Sequence, residues 1–451
     1  MCAPNTKGKL MKRLIAVALA ALPLTLVHAA DAELANAVAK DYNGRLGALF
    51  DHFHRNPELS FMETKTAARL ATELRASGFE VTEGVGGTGV VAIMKNGPGP
   101  LVMMRADMDG LPVLEKSGLK NASTVMGKDR EGNLSPAMHA CGHDVHITSL
   151  VGTAHQMAAR RSQWSGTLML IGQPAEERVG GANAMMKDRL WERFGRPDYA
   201  LAFHVSADVE AGKIAVTEGS PYSGADTVEI LIHGVGAHGA SPHRGKDPVM
   251  LGAQIVVALQ TIISREREPH EAAVITVGSF HAGSKANIIA DTAKLQLTVR
   301  NESAATRKML LDAIKRVAIN TARANGVAEN QLPEVTVLDE ATPPTLNDPA
   351  LTRRMKQAWS DKLGAGIFDT SVARSGMGAE DFPFFTTTPY IPSVYFSVGG
   401  TGKAALDAAA AGGAPVPSHH SAIFKIEPEP AIRTGVEATV TAMLALMKKP
   451  A

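Results

Sequence analysis

Apolar positions along this chain follow two alternating rhythms. Leu34, Val38, Leu46, Leu49 and Phe50 stand at helical spacing in a stretch from Asp31 to about Leu74, with His52, His54, Arg55, Asn56 and Pro57 marking a helix end inside it. A second helix is predicted over Thr64 to Ala76, stopped by Ser77-Gly78. Short apolar runs follow at Glu80-Val81, Gly89 to Met94 and Leu101 to Met104, the last leading into Arg105-Ala106-Asp107-Met108-Asp109. Ile147, Leu150, Val151, Ala154 and Met157 predict another helix. Gly166 to Ile171 reads as a buried strand ending in Gln173-Pro174-Ala175-Glu176-Glu177, with a helix after Gly180-Gly181. Pro197 to Phe203 is a further strand, ending where it delivers His204. Strand, polar residue, helix is the repeated order. It predicts an α/β fold, a mixed and largely parallel sheet covered by helices, with its site at the strands' carboxyl ends.

Near Ser220 the rhythm changes. Asp226 to Ile232 alternates as a strand, His233 to His243 is a glycine- and histidine-rich loop, and Pro248 to Ser264 is an apolar helix. Strands at Ala273–Phe280 and Lys294–Val299, a helix at Ala305–Ala324 and a strand near Glu334–Leu338 complete a β-α-β-β-α-β order. That order predicts a ferredoxin-like α+β domain at 222–340, inserted into a catalytic domain formed by 31–221 and 341–451. A polar hairpin is expected before Pro136, a mobile loop at the alanine-rich stretch Ala404–Gly413, and a closing helix at Ala431–Met447.

The N-terminus reads as a targeting segment. Lys12 and Arg13 precede an apolar run from Leu14 to Val27, and Val27-His28-Ala29 offers small residues for cleavage. Residues 1–29 are therefore expected to be a signal peptide, with Met11 as an alternative start, too short to span a membrane stably. The expected destination is the periplasm. Composition changes little: 45% hydrophobic and 20% charged residues with a net charge of +1 describe an ordinary globular chain. No basic stripe stands out and aromatics are scarce, which argues against nucleic acid.

Cysteine usage sharpens the picture. Of the two cysteines, Cys2 lies in the segment to be removed, so the exported chain would hold Cys141 alone, with no internal disulfide. Cys141 sits in Met138-His139-Ala140-Cys141-Gly142-His143-Asp144-Val145-His146, at the start of a helix. There the helix dipole is expected to lower the thiol's pKa toward the metal-binding thiolate. The alternatives are an inert buried thiol and a Cys141/His143 nucleophilic dyad, but residues two apart on a helix do not face each other. Glu176-Glu177, His204 and His419-His420 add further donors. Adjacent carboxylates after a buried strand repel, and a cation relieves them: one can bind metal while the other acts as general base.

His139-Ala140-Cys141-Gly142-His143-Asp144 together with Gln173-Pro174-Ala175-Glu176-Glu177 resembles the amidohydrolase branch of the dinuclear-metal aminoacylase/carboxypeptidase family, which includes hippurate, aminobenzoyl-glutamate and indole-acetyl-amino-acid hydrolases. The likeness continues through Phe203-His204-Val205, Gly236-Ala237-His238-Gly239-Ala240, Asn287-Ile288-Ile289, Gly378-Ala379-Glu380-Asp381-Phe382 and the terminal histidines. The resemblance implies a zinc-exopeptidase-like fold with a lid. It implies two divalent ions, Mn2+ or Zn2+, held by Cys141, His143, Glu177, His204 and His420, the last preferred over His419 for standing four residues before Phe424. Glu176 would be the general base, His238 would stabilise the oxyanion, in some relatives from a partner subunit, and Asn287 would help bind the substrate carboxylate. The substrate implied is an N-acyl amino acid, or a short peptide if the chain is a carboxypeptidase or dipeptidase. A homodimer through the lid is the implied assembly. A metal- or peptide-binding module is the non-enzymatic alternative, and the presence of Glu176 speaks against it. Asp107, Asp109 and Glu380 are expected to orient ligands, and His146, His52 and His54 to be structural or to support the ligands from behind.

Overall fold

Four apolar strands lie parallel at the centre of a seven-stranded sheet, in the computed structural model that describes residues 32–371 and 376–449. The expected signal peptide lies outside the described residues. In chain order the strands are β1 (Glu80–Val85), β2 (Gly89–Asn96), β3 (Leu101–Asp107), β4 (Gly166–Gln173), β5 (Tyr199–Glu210) and β6 (Ile214–Ala215). Four strands of a second sheet follow, β7 (Gly224–His233), β8 (Ala273–Ala282), β9 (Thr292–Asn301) and β10 (Glu334–Thr342), before the chain returns as β11 (Ser393–Thr401). The large sheet runs β1-β2-β4-β3-β5-β11-β6, with β4, β3, β5 and β11 mutually parallel and the outer strands antiparallel. Strands covered on both faces need continuous apolar runs, which Val102-Met103-Met104 and Leu168-Met169-Leu170-Ile171 provide, every one of them buried.

On one face lies helix α1 (His143–Ala159), apolar on nearly every side and accordingly buried along almost its whole length. The C-terminal helix α2 (Pro428–Leu446) packs across it, sealing the core around Val436, Val440 and Met443. The opposite face carries Trp191, Phe382, Phe385 and Tyr395. The sheet therefore holds the first turn of α1 against the carboxyl end of β3 and the middle of β5.

The second sheet runs β8-β9-β7-β10, all antiparallel. Along β7, buried and partly exposed residues alternate strictly, so one face packs on the helices Pro248–Thr261 and Ala304–Ala324 while the other looks outward. The helix through Pro248–Glu266 is apolar and long enough to cross a membrane, but Leu251, Ile255, Leu259 and Ile262 belong to this domain's core.

Two local expectations fail. The alanine-rich stretch forms an exposed helix over Lys403–Ala410, because alanine has the best helix propensity of all residues and Lys403 pairs with Asp407 one turn on. Strand β5 does not stop at His204 but continues to Glu210, with Val205, Ala207 and Val209 buried and Ser397 of β11 opposite His204.

Candidate metal centre

The donors meet where β3 and β4 end, beside His204 in the middle of β5. Gly142 makes the approach possible: it turns the chain with φ of +83° into α1, and a Cβ there would stand 2.3 Å from Val205 Cγ1. Cys141 and His143 are thereby brought to the same side. Cys141 Sγ lies 3.4 Å from His204 Nε2, and His143 Nε2 lies 3.8 Å from Glu177 Oε1 and 3.9 Å from Glu176 Oε2. His420 Nε2 comes within 3.3 Å of Glu177 Oε2. Cys141/His143/His204, Cys141/Glu177/His420 and His143/Glu176/Glu177 each present donor atoms within 4.8 Å of one another.

Hydrogen bonds behind these atoms fix which nitrogen faces inward. His143 Nδ1 donates to the Asp109 carbonyl at 2.9 Å and His204 Nδ1 to the Val205 carbonyl at 2.6 Å, leaving both Nε2 lone pairs for the centre. Asp109 also accepts from the backbone N–H of Glu176 and of Glu177, both at 3.1 Å, tying that turn to α1. The turn needs such support. Ala175 and Val179 flank it with φ of 49° each, a costly conformation for residues with a side chain. Glu63 steadies the first by accepting from Ala175 N at 2.8 Å.

The polar atoms left over are the sign of a cation. His143 Nε2 and Glu177 Oε1 are both buried without a hydrogen-bond partner, and they face each other. Leaving two such atoms dry and unpaired costs on the order of 1–3 kcal/mol each, which coordination would remove. Thiolate, imidazole and carboxylate donors together fit a divalent transition metal. The expected low thiol pKa is not what the structure shows. Burial pushes the Cys141 thiol well up, and the nearby Glu177, Glu176 and Asp107 carboxylates push it further. The helix dipole is outweighed by these charges, so in this setting the thiolate depends on the cation. Glu176 is likewise raised by burial, then by Glu380 and Glu177.

His419 and His420 take different positions. His419 is half-buried with its Nε2 accepting from Ala207 N at 3.2 Å, so its proton sits on Nδ1, 3.8 Å from Cys141 Sγ. His420, at a left-handed φ of 64°, turns back over Glu177. His146 sits between shells, hydrogen-bonded to Asp107 and accepting from Val205 N. Two expected site residues are not brought here. His238 and Asn287 lie together on the lid, where Gly239 N bonds the Asn287 carbonyl, and neither lines the cavity of about 470 Å³ around the donors.

That cavity is also lined by Tyr222 and Arg300, which sequence reasoning did not single out. Tyr222 reaches it from the short strand Gly219–Tyr222 and Arg300 from β9 of the second sheet, so their only signal is tertiary. Arg105 was passed over too, although an arginine inside a run of buried apolar residues is itself a warning.

Among the neighbouring helices, His54 binds Asp144 through Nδ1 at 2.7 Å and faces Glu115 through Nε2 at 3.3 Å. Burial would push it down, but those hydrogen bonds lift it to about 10. A group raised above its unfolded value of about 6.5 contributes stability that is complete below that pH and lost as the pH climbs toward 10. His54→Gln should therefore destabilise the protein clearly at pH 6 and much less at pH 10. Urea midpoints at both values check this; a gap that widens with pH would contradict it.

A model of the peptidase family M20/M25/M40 matches residues 103–413. The chain belongs to this family. It is 35% identical over 350 residues to thermostable carboxypeptidase 2 of Saccharolobus solfataricus, covering 77% of this chain and 83% of that protein. It is also 35% identical to hippurate hydrolase of Campylobacter jejuni over 347 residues, 76% of this chain and 86% of the other. Among solved structures it resembles a dinuclear metal-binding M20 peptidase from Bacillus subtilis, with a TM-score of 0.73 and 27% identity over 90% of this chain and 99% of that one. As an M20 family member the chain is a hydrolase of amide or peptide bonds.

Proposed function

We propose that this M20 hydrolase is an exported amidohydrolase that cleaves hippurate-like N-acyl amino acids to a carboxylic acid and a free amino acid. The observation that carries the reading is the pair of unpartnered donors, His143 Nε2 and Glu177 Oε1, facing each other beside the buried Glu176. Cys141, His143, Glu177, His204 and His420 would hold two Mn2+ or Zn2+ ions, with Cys141 shared. Such a pair polarises a carbonyl and acidifies a water. The chain's own residues do the rest. Glu176 takes the water's proton and returns it to the leaving amine. His419, with its proton facing Cys141 Sγ, orients the sulfur. Arg300, whose Nε donates to Thr298 Oγ1 at 3.2 Å, brings positive charge to the lid side of the cavity for the amino-acid carboxylate.

Asn287 and His238 act across a subunit boundary in this reading. The lid offers an exposed strand edge at β8, with Phe280, Ile288 and Val257 exposed around it. A second copy paired there would bury these residues and direct the partner subunit's His238 to the cavity. Export rests on the pattern of residues 12–29 and would place the protein in the periplasm.

The test is release of free amino acid from a panel of N-benzoyl, N-acetyl and N-indoleacetyl amino acids by the chain reconstituted with Mn2+ or Zn2+, and by the same preparation after chelation. Metal-dependent release supports the reading. Cleavage of dipeptides or C-terminal residues alone would favour the carboxypeptidase alternative, which the Saccharolobus relative's name brings into view. Sedimentation of the same preparations reads the dimer, and fractionation of expressing cells reads export.

A further inference from the structure

We propose that the Tyr222 phenol donates a hydrogen bond to the substrate's carbonyl oxygen as that oxygen becomes a tetrahedral oxyanion. The proposal rests on the amide-hydrolase reading of the same cavity. Tyr222 lines the cavity with Cys141, Glu176, Glu177 and His204, its ring 6.4 Å from the His204 ring. Tyr395 holds the ring edge-on at 5.0 Å. Among the described residues no protein group hydrogen-bonds the phenol oxygen, although the half-buried side chain lines a polar site.

An amide that is attacked needs a donor at its oxygen, and this cavity is walled mostly by acceptors. Glu176, Glu177 and Glu380 are carboxylates. Ser206 Oγ accepts from Asp208 N at 3.2 Å, and Arg300 stands on the lid side, where the substrate carboxylate would take its charge. This chain's His238 lies outside its own cavity, and the partner subunit's His238 would share the oxyanion with a donor already fixed in this chain. Tyr222 is thus a neutral donor on the cavity wall, anchored where Gly219–Tyr222 pairs with Thr345–Asn347. Pre-placed donors of this kind act on the developing charge rather than on the ground state.

Tyr222→Phe keeps the ring and its packing while removing the donor. With the metal-loaded full chain and the best substrate of the panel, kcat should fall by about 100-fold, the usual effect of losing one oxyanion donor, with KM changed less than about threefold. A phosphinate analogue, tetrahedral and anionic, should lose affinity in proportion to kcat/KM, whereas the carboxylic acid product should bind as before. Metal content and melting temperature should be unchanged. An unaltered kcat, or equal losses for phosphinate and product, would overturn the proposal while leaving the hydrolase reading intact. If the wild-type chain turned over nothing in the panel, that reading would fail on its own. Phosphinate affinity would then still decide Tyr222: weaker binding to the variant supports the donor, equal binding refutes it.

Discussion

Glu176→Ala should lose turnover by a factor of about 10²–10⁴ and keep its metal. The size follows from the contribution that a positioned general base makes. The separation follows from the geometry. Cys141, His143, Glu177, His204 and His420 form donor groups without Glu176, whereas Glu176 is buried beside Glu380, Glu177 and the His143 ring. Its Oε2 stands 3.9 Å from His143 Nε2, close enough to reach a water held between the donors and too far to share a proton with the imidazole. Glu176→Gln is the stricter test, since it keeps the shape of the side chain and removes only its basicity. Metal analysis with turnover on the same samples checks the prediction. A variant that retained more than a tenth of the activity would show that another group takes the proton. One that lost metal in step with activity would make Glu176 a ligand.

The parallel sheet and its ligand-bearing ends could be read in advance because buried parallel strands must be continuous apolar runs, and this chain keeps those runs short and punctuated. Cys141, His143, Glu176 and Glu177 were visible for the same reason: each follows closely on such a run or opens the next helix. What escaped reading depends on distance. Tyr222 and Arg300 enter the cavity from separate elements, and no local pattern announces them. The Cys141 thiol was misjudged because its helix is local but the carboxylates that oppose the dipole come from Asp107 and the Glu176-Glu177 turn. Lys403–Ala410 was misjudged in the opposite direction. There low-complexity composition suggests a mobile loop where residue propensity alone favours a helix.

Arg105 sustains the acidic floor beneath this centre, and its loss should be the most destabilising single change in the chain. Its guanidinium is wholly buried and donates to Asp107 at 2.5 Å, to Glu380 at 2.7 Å, to Asp381 at 3.3 Å and to Gln173 Oε1 at 2.7 Å. Three carboxylates converge on one cation, and Tyr395 Oη adds a 2.6 Å bond to Glu380. Burial alone would raise Asp107, yet Arg105 and then His143 hold it well below the usual carboxylate range. Asp107 thus contributes stability above its unfolded pKa of about 3.9 and loses it only in acid. Arg105→Met removes the partner and leaves the carboxylates buried, which costs about 3–5 kcal/mol where such networks are broken on one side. Arg105→Lys keeps the charge but not the planar fork, and should fall between wild type and Met. Denaturant unfolding of the three proteins at neutral pH checks the order. Asp107 also receives the His146 ring, which in turn accepts from Val205 N beside His204. The same substitution should therefore loosen the ligands as well as the fold. A Met variant within about 1 kcal/mol of wild type would mean that the carboxylates take up protons instead, and its stability would then rise rather than fall on mild acidification.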